Sequence, residues 1–535
     1  MTATASGRER TARTLPPGRD RQAHLLPAHH GAERATGDRT PRAAVVGGGI
    51  AGLTAAAALA ERGVGVTLYE REAELGGRLR GWPTRLADGS TATMSRGFHA
   101  FFRQYYNLRA LLRRTDPALT GLTGLPDYPL RHGGGRQDSF RRVPRTPPLS
   151  ALGFAALSPS FTLREMVRMR PRAALPLLDV RVPEVYARFD GVSAYDLLDA
   201  IRFPEAARHL AFEVFSRSFF ADPRELSAAE MALMFHIYFL GSAEGLLFDV
   251  PGEPFPQALW DPLARHLRTL GVRIQTGAPV EAVTVRPEGG FAVTAADGDT
   301  PYDAVVLALD PGALRSLVAG SGGLGDAEWR ERMARLRTAP PFLVSRLWLD
   351  RPVRPDRPGF LGTSGYGPLD NVSVLNAWEG EAARWAARSG GAVLELHAYA
   401  QPPDADRTLT EKELLSELHR VYPETRQAGI VDARHEWRAD CPLFTVGGYG
   451  DRPTVGTPTP GLVVAGDTVR TGLPVALMER AATSGFLAAN TLLRTWGLRG
   501  HDLWTVPLGG RGRLLRAAAR AGRGVTVRTS PGPRE

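Results

Sequence analysis

The sequence holds one cysteine, Cys441, in 535 residues. That excludes an intramolecular disulfide and any metal site built from several cysteines, and it suits a reducing cytoplasm. Lysine is almost missing: Lys412 stands alone, so nearly every cation is arginine. No apolar run reaches the roughly 18 residues a membrane-spanning helix requires. No charged start leads into an apolar stretch of the secretory type. Zinc-finger spacing and aromatic-rich RNA-binding motifs are both lacking, which argues against nucleic acid as a partner.

Charge is present, but unevenly. The net charge is +10, yet residues 1–42 carry eight arginines against four acids, and residues 508–535 carry seven against one. The excess lies wholly in the tails, and the body is neutral. Basic tails on a neutral body suit an anionic membrane surface or solvated extensions. Residues 1–41 are rich in Arg, Gly, Pro, Thr and Ala without periodicity, which predicts disorder. Arg511–Arg523 spaces Leu and Ala among arginines, as either a surface helix or a disordered basic tail.

The most specific signal is Ala43–Leu53, A-A-V-V-G-G-G-I-A-G-L. A buried strand runs into Gly47, Gly49, Ala51 and Gly52, and then into an alanine-rich helix. The glycines supply a tight turn, backbone close enough to touch a pyrophosphate, and close strand–helix packing. The helix N-terminus suits a diphosphate. A second strand, Val64–Tyr69, ends at Glu70, 18 residues after Gly52, where a ribose hydroxyl would be held. Further buried strands are expected at Tyr302–Leu309 and Gly461–Asp467, with a helix over Ala476–Leu493. The fold expected is α/β: a discontinuous Rossmann-like domain from residues 42–125, 251–340 and 440–500, with an inserted α+β substrate domain from 126–250 and 341–439.

Directly after Glu70 comes Arg71, and shortly beyond it Gly76-Gly77-Arg78. A glycine pair plus an arginine lets backbone lie along a diphosphate or flavin edge while a guanidinium binds it. This combination resembles the FAD-dependent amine oxidase and carotenoid desaturase superfamily. The resemblance implies FAD as cofactor. It places Gly466-Asp467 at the flavin's ribityl or diphosphate, the N-terminus of a helix near Met478 at the pyrimidine side, and Val280 at the adenine. Ser95–Leu108 and Leu473–Thr483 are similar to the carotenoid branch, closest to β-ring desaturases of the isorenieratene synthase type.

That resemblance implies a carotenoid substrate drawn from a membrane, with β-ionone rings made aromatic by desaturation and internal methyl migration. A desaturase or isomerase of an acyclic carotenoid such as ζ-carotene, an amine oxidase and a non-catalytic flavin scaffold share the same cofactor motifs. A ring cation needs a dry pocket, aromatic faces and a base. Phe98, Phe101, Phe102, Tyr105 and Tyr106 are candidates for the aromatic wall, though each also suits ordinary core packing. Phe98 is also a candidate cofactor contact. His99 is a candidate base or flavin-side hydrogen bonder; Glu479 is a candidate base or simply an acid favoured at a helix start. Leu149–Met169 mixes apolar residues with arginines, as an interfacial segment or a buried helix-loop. The electron acceptor, quinone or oxygen, leaves no sequence trace.

Overall fold

The computed structural model describes residues 16–36, 40–211 and 219–521. Five parallel strands form the first sheet: β1 (Arg42–Val46), β2 (Gly65–Tyr69), β3 (Arg273–Gln275), β4 (Ala304–Leu307) and β5 (Leu462–Val464), in the order β3-β2-β1-β4-β5. Three blocks of chain far apart in sequence therefore meet in one sheet. Helix α1 (Ile50–Ala60) follows β1 and is buried along its whole length. An apolar helix with no polar face must be covered on all sides. The sheet covers one side. Helix α2 (Leu477–Thr495) covers another, and a Cβ at Gly485 would strike the Ala51 carbonyl.

The second sheet has seven strands. Phe342–Leu349 and Ala392–Ala398 lie near its centre, paired antiparallel over Leu343↔Ala398 to Leu349↔Ala392. All positions on both strands are buried, which fits their near-continuous apolar sequence. Helix Arg407–Val421 packs on one face through Leu414, Leu418 and Val421, against Leu394, Leu396 and Ala398. The opposite face looks toward the first sheet. A helical layer, which includes Ala194–Ile201 and Ala228–Phe235, closes the space from the side.

Two expectations need correction, and one pair of alternatives is decided. The N-terminal tail is not free: His24–Leu26 pairs antiparallel with Leu503–Thr505. Of the two readings of the C-terminal segment the structure has the surface helix, Arg513–Ala521, which packs beside Leu175–Asp179, while Arg511 just before it forms a buried ion pair with Asp20. These contacts join residues hundreds of positions apart, so no local periodicity announces them. Residues 1–15, 37–39 and 522–535 lie outside the described residues. Tyr302 belongs not to β4 but to Gly298–Tyr302, the last strand of a three-stranded meander that begins at Ala282.

Candidate active site

A cavity of about 760 Å³ lies between the two sheets. At one end it is walled by the loops that follow β1, β2 and β4. Gly47 takes φ +110°, which a side chain disfavours. A Cβ at Gly52 would collide with the Gly47 carbonyl, so this glycine serves packing beneath the turn and does not line the cavity. Gly49 caps α1 with no side chain bonded to the first turn and no acid within it. The leading N–H groups of α1 are thus left for an anion. Glu70 sits at the end of β2, where its carboxylate accepts from Gly48 N–H at 2.7 Å and Glu72 N–H at 2.9 Å.

The second glycine pair meets the first. Gly77 Cα lies 3.7 Å from where a Gly49 Cβ would stand, and Gly76 and Gly77 both have positive φ. Trp260 Nε1 donates to Leu79 O at 2.7 Å and pins this loop. Arg78 donates to Asp467 Oδ1 at 2.8 Å, bridging two sequence blocks. Burial disfavours the Arg78 charge more than any one neighbour favours it, but Asp467 together with Cys441 and Asp440 outweighs burial and raises the guanidinium pKa. Ala51, Arg71, Val280, Gly466 and Met478 line the same cavity, and Leu477 opens α2 with φ +51° and no capping side chain. Two open helix starts, a half-buried arginine, a ribose-distance acid and a glycine cradle match the donor set a flavin dinucleotide requires.

Asp467 is held from behind. Arg480 donates to its carbonyl at 3.2 Å, and Arg452 donates to the Thr468 carbonyl at 2.8 Å. Both arginines clamp the buried Glu230, with Arg480 at 2.8 Å. Burial works against the charge of Glu230, yet the two guanidinium groups hold its carboxyl down at about 2. The sequence reading missed this knot, because its members are 222 and 250 positions apart.

The other end of the cavity is aromatic. Phe98, Phe102 and Tyr105 line it, as expected. Phe98 stacks near Phe360 with centroids 4.3 Å apart, so its ring belongs to the aromatic wall. Phe101 and Tyr106 do not line the cavity: Phe101 is fully buried, and Tyr106 donates its hydroxyl to Glu244 at 3.3 Å. Rings continue outward from Phe98 through Phe360, Tyr128, Phe140 and Phe154, with successive centroids 4.3, 5.0, 5.7 and 4.7 Å apart. Phe154 lies on helix Leu149–Leu157, whose Leu149, Leu152 and Leu157 are exposed. The neighbouring helix Leu163–Arg168 buries no residue and exposes Leu163 and Val167 at 79% each.

The two candidate bases separate. His99 lines the cavity, with Nδ1 2.9 Å from the Gly97 carbonyl. Burial pushes its pKa down to about 4, so the ring is neutral, Nδ1 donates to the carbonyl and Nε2 keeps its lone pair. Glu479 does not reach the cavity. Its carboxylate accepts the N–H groups of Asn107 at 2.8 Å and Leu108 at 2.9 Å, tying α2 to the start of helix Tyr106–Leu112. Burial raises its pKa to about 8 despite those two bonds. It joins two helices and is not positioned as a base.

Strand Ala392–Ala398 contributes a group that the sequence reading overlooked. Glu395, His397 and Tyr399 alternate onto the cavity side, opposite Leu394 and Leu396. The signal was legible: L-E-L-H-A-Y is a polar stripe of period two inside an otherwise apolar strand. A Cβ on Gly97 would lie 2.5 Å from His397 Cε1, so that glycine makes room for the imidazole.

Fold and cavity together define a dinucleotide-binding protein whose two sheets flank a chamber that is aromatic at one end. The chain belongs to the flavin containing amine oxidoreductase family, whose model matches residues 50–493. It is an FAD-dependent oxidoreductase. Among curated relatives, it is 72% identical over 502 residues to a carotenoid phi-ring synthase of Streptomyces griseus, covering 94% of this chain and 97% of that protein. A carotenoid phi-ring synthase of Chlorobaculum tepidum is 28% identical, covering 88% and 91% of the two chains. A redesigned putrescine oxidase shares the fold, with a TM-score of 0.64 at 18% identity over 85% of this chain and all of its own.

Proposed function

We propose that the protein makes the β-ionone rings of β-carotene aromatic by FAD-dependent desaturation with internal migration of one methyl group. The observation that carries this reading is the ring-lined chamber running from Phe98 to the exposed helix Leu149–Leu157. A polyene hydrocarbon offers no hydrogen bonds, so only an apolar chamber binds it without leaving polar groups unpaired. The names of the two phi-ring synthases support a carotenoid ring as the reacting group.

FAD, when bound, supplies the hydride acceptor. The chain's own residues do the rest. Arg78, Asp467 and Gly49 would hold the dinucleotide, and Phe98, Phe102 and Phe360 exclude water. Their π faces stabilise positive charge on a ring carbon. His99 keeps an unprotonated Nε2 in the same cavity.

The substrate is a membrane lipid in all but name, so the protein must reach it there. Leu149, Leu152, Leu157, Leu163 and Val167 form an exposed apolar face beside Arg164 and Arg168. We infer that this face lies in the interface of an anionic membrane, with the chain otherwise in the cytoplasm. Exposed Leu514, on the arginine-rich helix Arg513–Ala521, adds a second contact. No helix among the described residues is long and apolar enough to cross a membrane.

Expression in cells that already make β-carotene tests the reading by product analysis. An aromatic carotenoid of unchanged carbon number is the expected result. Conversion of ζ-carotene with β-carotene untouched refutes it in favour of acyclic desaturation. Reoxidation of the reduced flavin by a quinone analogue or by oxygen, measured separately, identifies the electron acceptor.

A further inference from the structure

Methyl migration leaves a cation that must lose a proton before the ring becomes aromatic, so the site needs a proton acceptor as well as a hydride acceptor. Glu395, His397 and Tyr399 form a continuous hydrogen-bonded chain that ends at the cavity wall. His397 Nε2 lies 2.9 Å from Glu395 Oε1, and Nδ1 lies 2.6 Å from the Tyr399 hydroxyl. Arg346 grips the other Glu395 oxygen, through Nη2 at 2.6 Å and Nε at 3.0 Å. It also donates to Thr93 O and Ser95 Oγ, so it is fixed on every side.

The nearer, ionised partner decides the tautomer against the longer contact. Burial disfavours charge on Glu395, but Arg346 and His397 hold its carboxyl down at about 2, so it is ionised. The carboxylate takes the Nε2 hydrogen. The Phe98 N–H also points at this nitrogen, at 3.3 Å, but it is the longer contact and a neutral donor, so the carboxylate at 2.9 Å prevails. Nδ1 then carries the lone pair, and the Tyr399 hydroxyl donates to it. Asn371 Nδ2 donates to the Tyr399 oxygen at 3.0 Å, leaving that oxygen one lone pair. Tyr399, His397 and Asn371 all line the cavity, and Asn371 Oδ1 is buried without a partner. Phe220 stands edge-on to Tyr399 at 4.8 Å and beside Phe342 at 4.9 Å, so the hydroxyl opens among aromatic rings.

Resting on the ring-oxidation reading, we propose that Tyr399 removes the ring proton and passes its own proton to His397, which Glu395 orients. The ring C–H bond breaks, and its electron pair stays on carbon as the new C=C π bond. The proton goes to the Tyr399 oxygen while the hydroxyl hydrogen moves to His397 Nδ1. The imidazolium so formed sits against the Glu395 carboxylate until product leaves. No electron passes through the relay: each ring that becomes aromatic loses two hydrides, which the flavin takes, and two protons, which leave through Tyr399. His99 lacks such an onward path: its Nδ1 is fixed on a carbonyl, and nothing behind it receives a proton. Tyr399 is the catalytic residue; His397 and Glu395 are positioning residues.

The test compares two readouts in the full, FAD-loaded chain given detergent-dispersed β-carotene: the rate of flavin bleaching on anaerobic mixing, and, with an artificial electron acceptor added to reoxidise the flavin, aromatic ring formed per flavin reduction, of which each ring needs two. Tyr399→Phe is expected to bleach within about threefold of wild type while aromatic ring per reduced flavin falls about 100-fold, the ordinary contribution of a general base. Non-aromatic desaturated or water-trapped rings replace it. Glu395→Gln is expected to lower the same ratio about tenfold. If Tyr399→Phe loses FAD, His397→Gln, which leaves Tyr399 in place, carries the same comparison. An unchanged ratio, or an equal fall in bleaching and product, overturns the relay and leaves a structural role only. Wild-type protein that neither bleaches nor converts β-carotene overturns the ring-oxidation reading itself.

Discussion

Replacing Glu230 with glutamine tests how the cofactor site is held from a distance. Glu230 is fully buried and touches neither the cavity nor the flavin cradle. It neutralises Arg452 and Arg480, which hold the carbonyls on either side of the Asp467–Thr468 peptide. The depression of its pKa from 4.5 to about 2 corresponds to about 3 kcal/mol of favourable interaction at neutral pH. Removing one partner of a buried ion pair costs about 3–5 kcal/mol by general experience, which agrees. The amide keeps the shape but leaves two buried guanidinium groups without their countercharge. If half of the cost falls on the geometry of Asp467, FAD affinity drops roughly tenfold. The assay is titration of apoprotein with FAD, beside thermal unfolding of the holoprotein. Wild-type FAD affinity together with an unfolding temperature unchanged within error refutes the reasoning. The sign in pH also follows. The Glu230 carboxyl is depressed in the folded state, so its contribution is complete above about pH 4.5 and is lost as pH falls toward about 2.

Three further outcomes are expected. Asp467→Asn removes the charge of a pair that Arg78 makes at 2.8 Å, and FAD affinity falls by about tenfold to a hundredfold in the same titration. Glu379 behaves oppositely to Glu230: burial raises its pKa from 4.5 to about 7, so stability falls by about 3 kcal/mol as pH rises through that window. Glu379→Gln flattens this slope in denaturation curves taken at several pH values, and an unchanged slope refutes the assignment. Leu152→Ser with Val167→Ser changes unfolding by less than about 1 kcal/mol, because both side chains are exposed, yet weakens flotation with anionic liposomes. Wild-type flotation by the double variant refutes the membrane face.

The cofactor end of the molecule is legible in the linear string. The turn from Gly47 to Gly52, Glu70 at the end of β2, Gly76-Gly77-Arg78 and Gly466-Asp467 are local devices. Each works through backbone conformation or one side chain within a few residues, so its meaning survives in the linear string. Even α1 announced its own burial, since an alanine-rich helix with no polar face has nowhere else to go. The aromatic end of the cavity depends instead on how distant segments pack. Glu479 resembled a base in a suggestive segment, but its direction was fixed by helix Tyr106–Leu112, which supplied two unpaired N–H groups for it. Phe101 and Tyr106 were separated from Phe98, Phe102 and Tyr105 by which side of one short segment met the core. The knot of Glu230, Arg452 and Arg480 joins residues more than 200 positions apart. Such a contact depends on the whole chain's path, and no periodicity records it. Glu395, His397 and Tyr399 lie between these extremes. Their alternation was written along the strand, but only the sheet beside the cavity turned an alternation into a chain of hydrogen bonds.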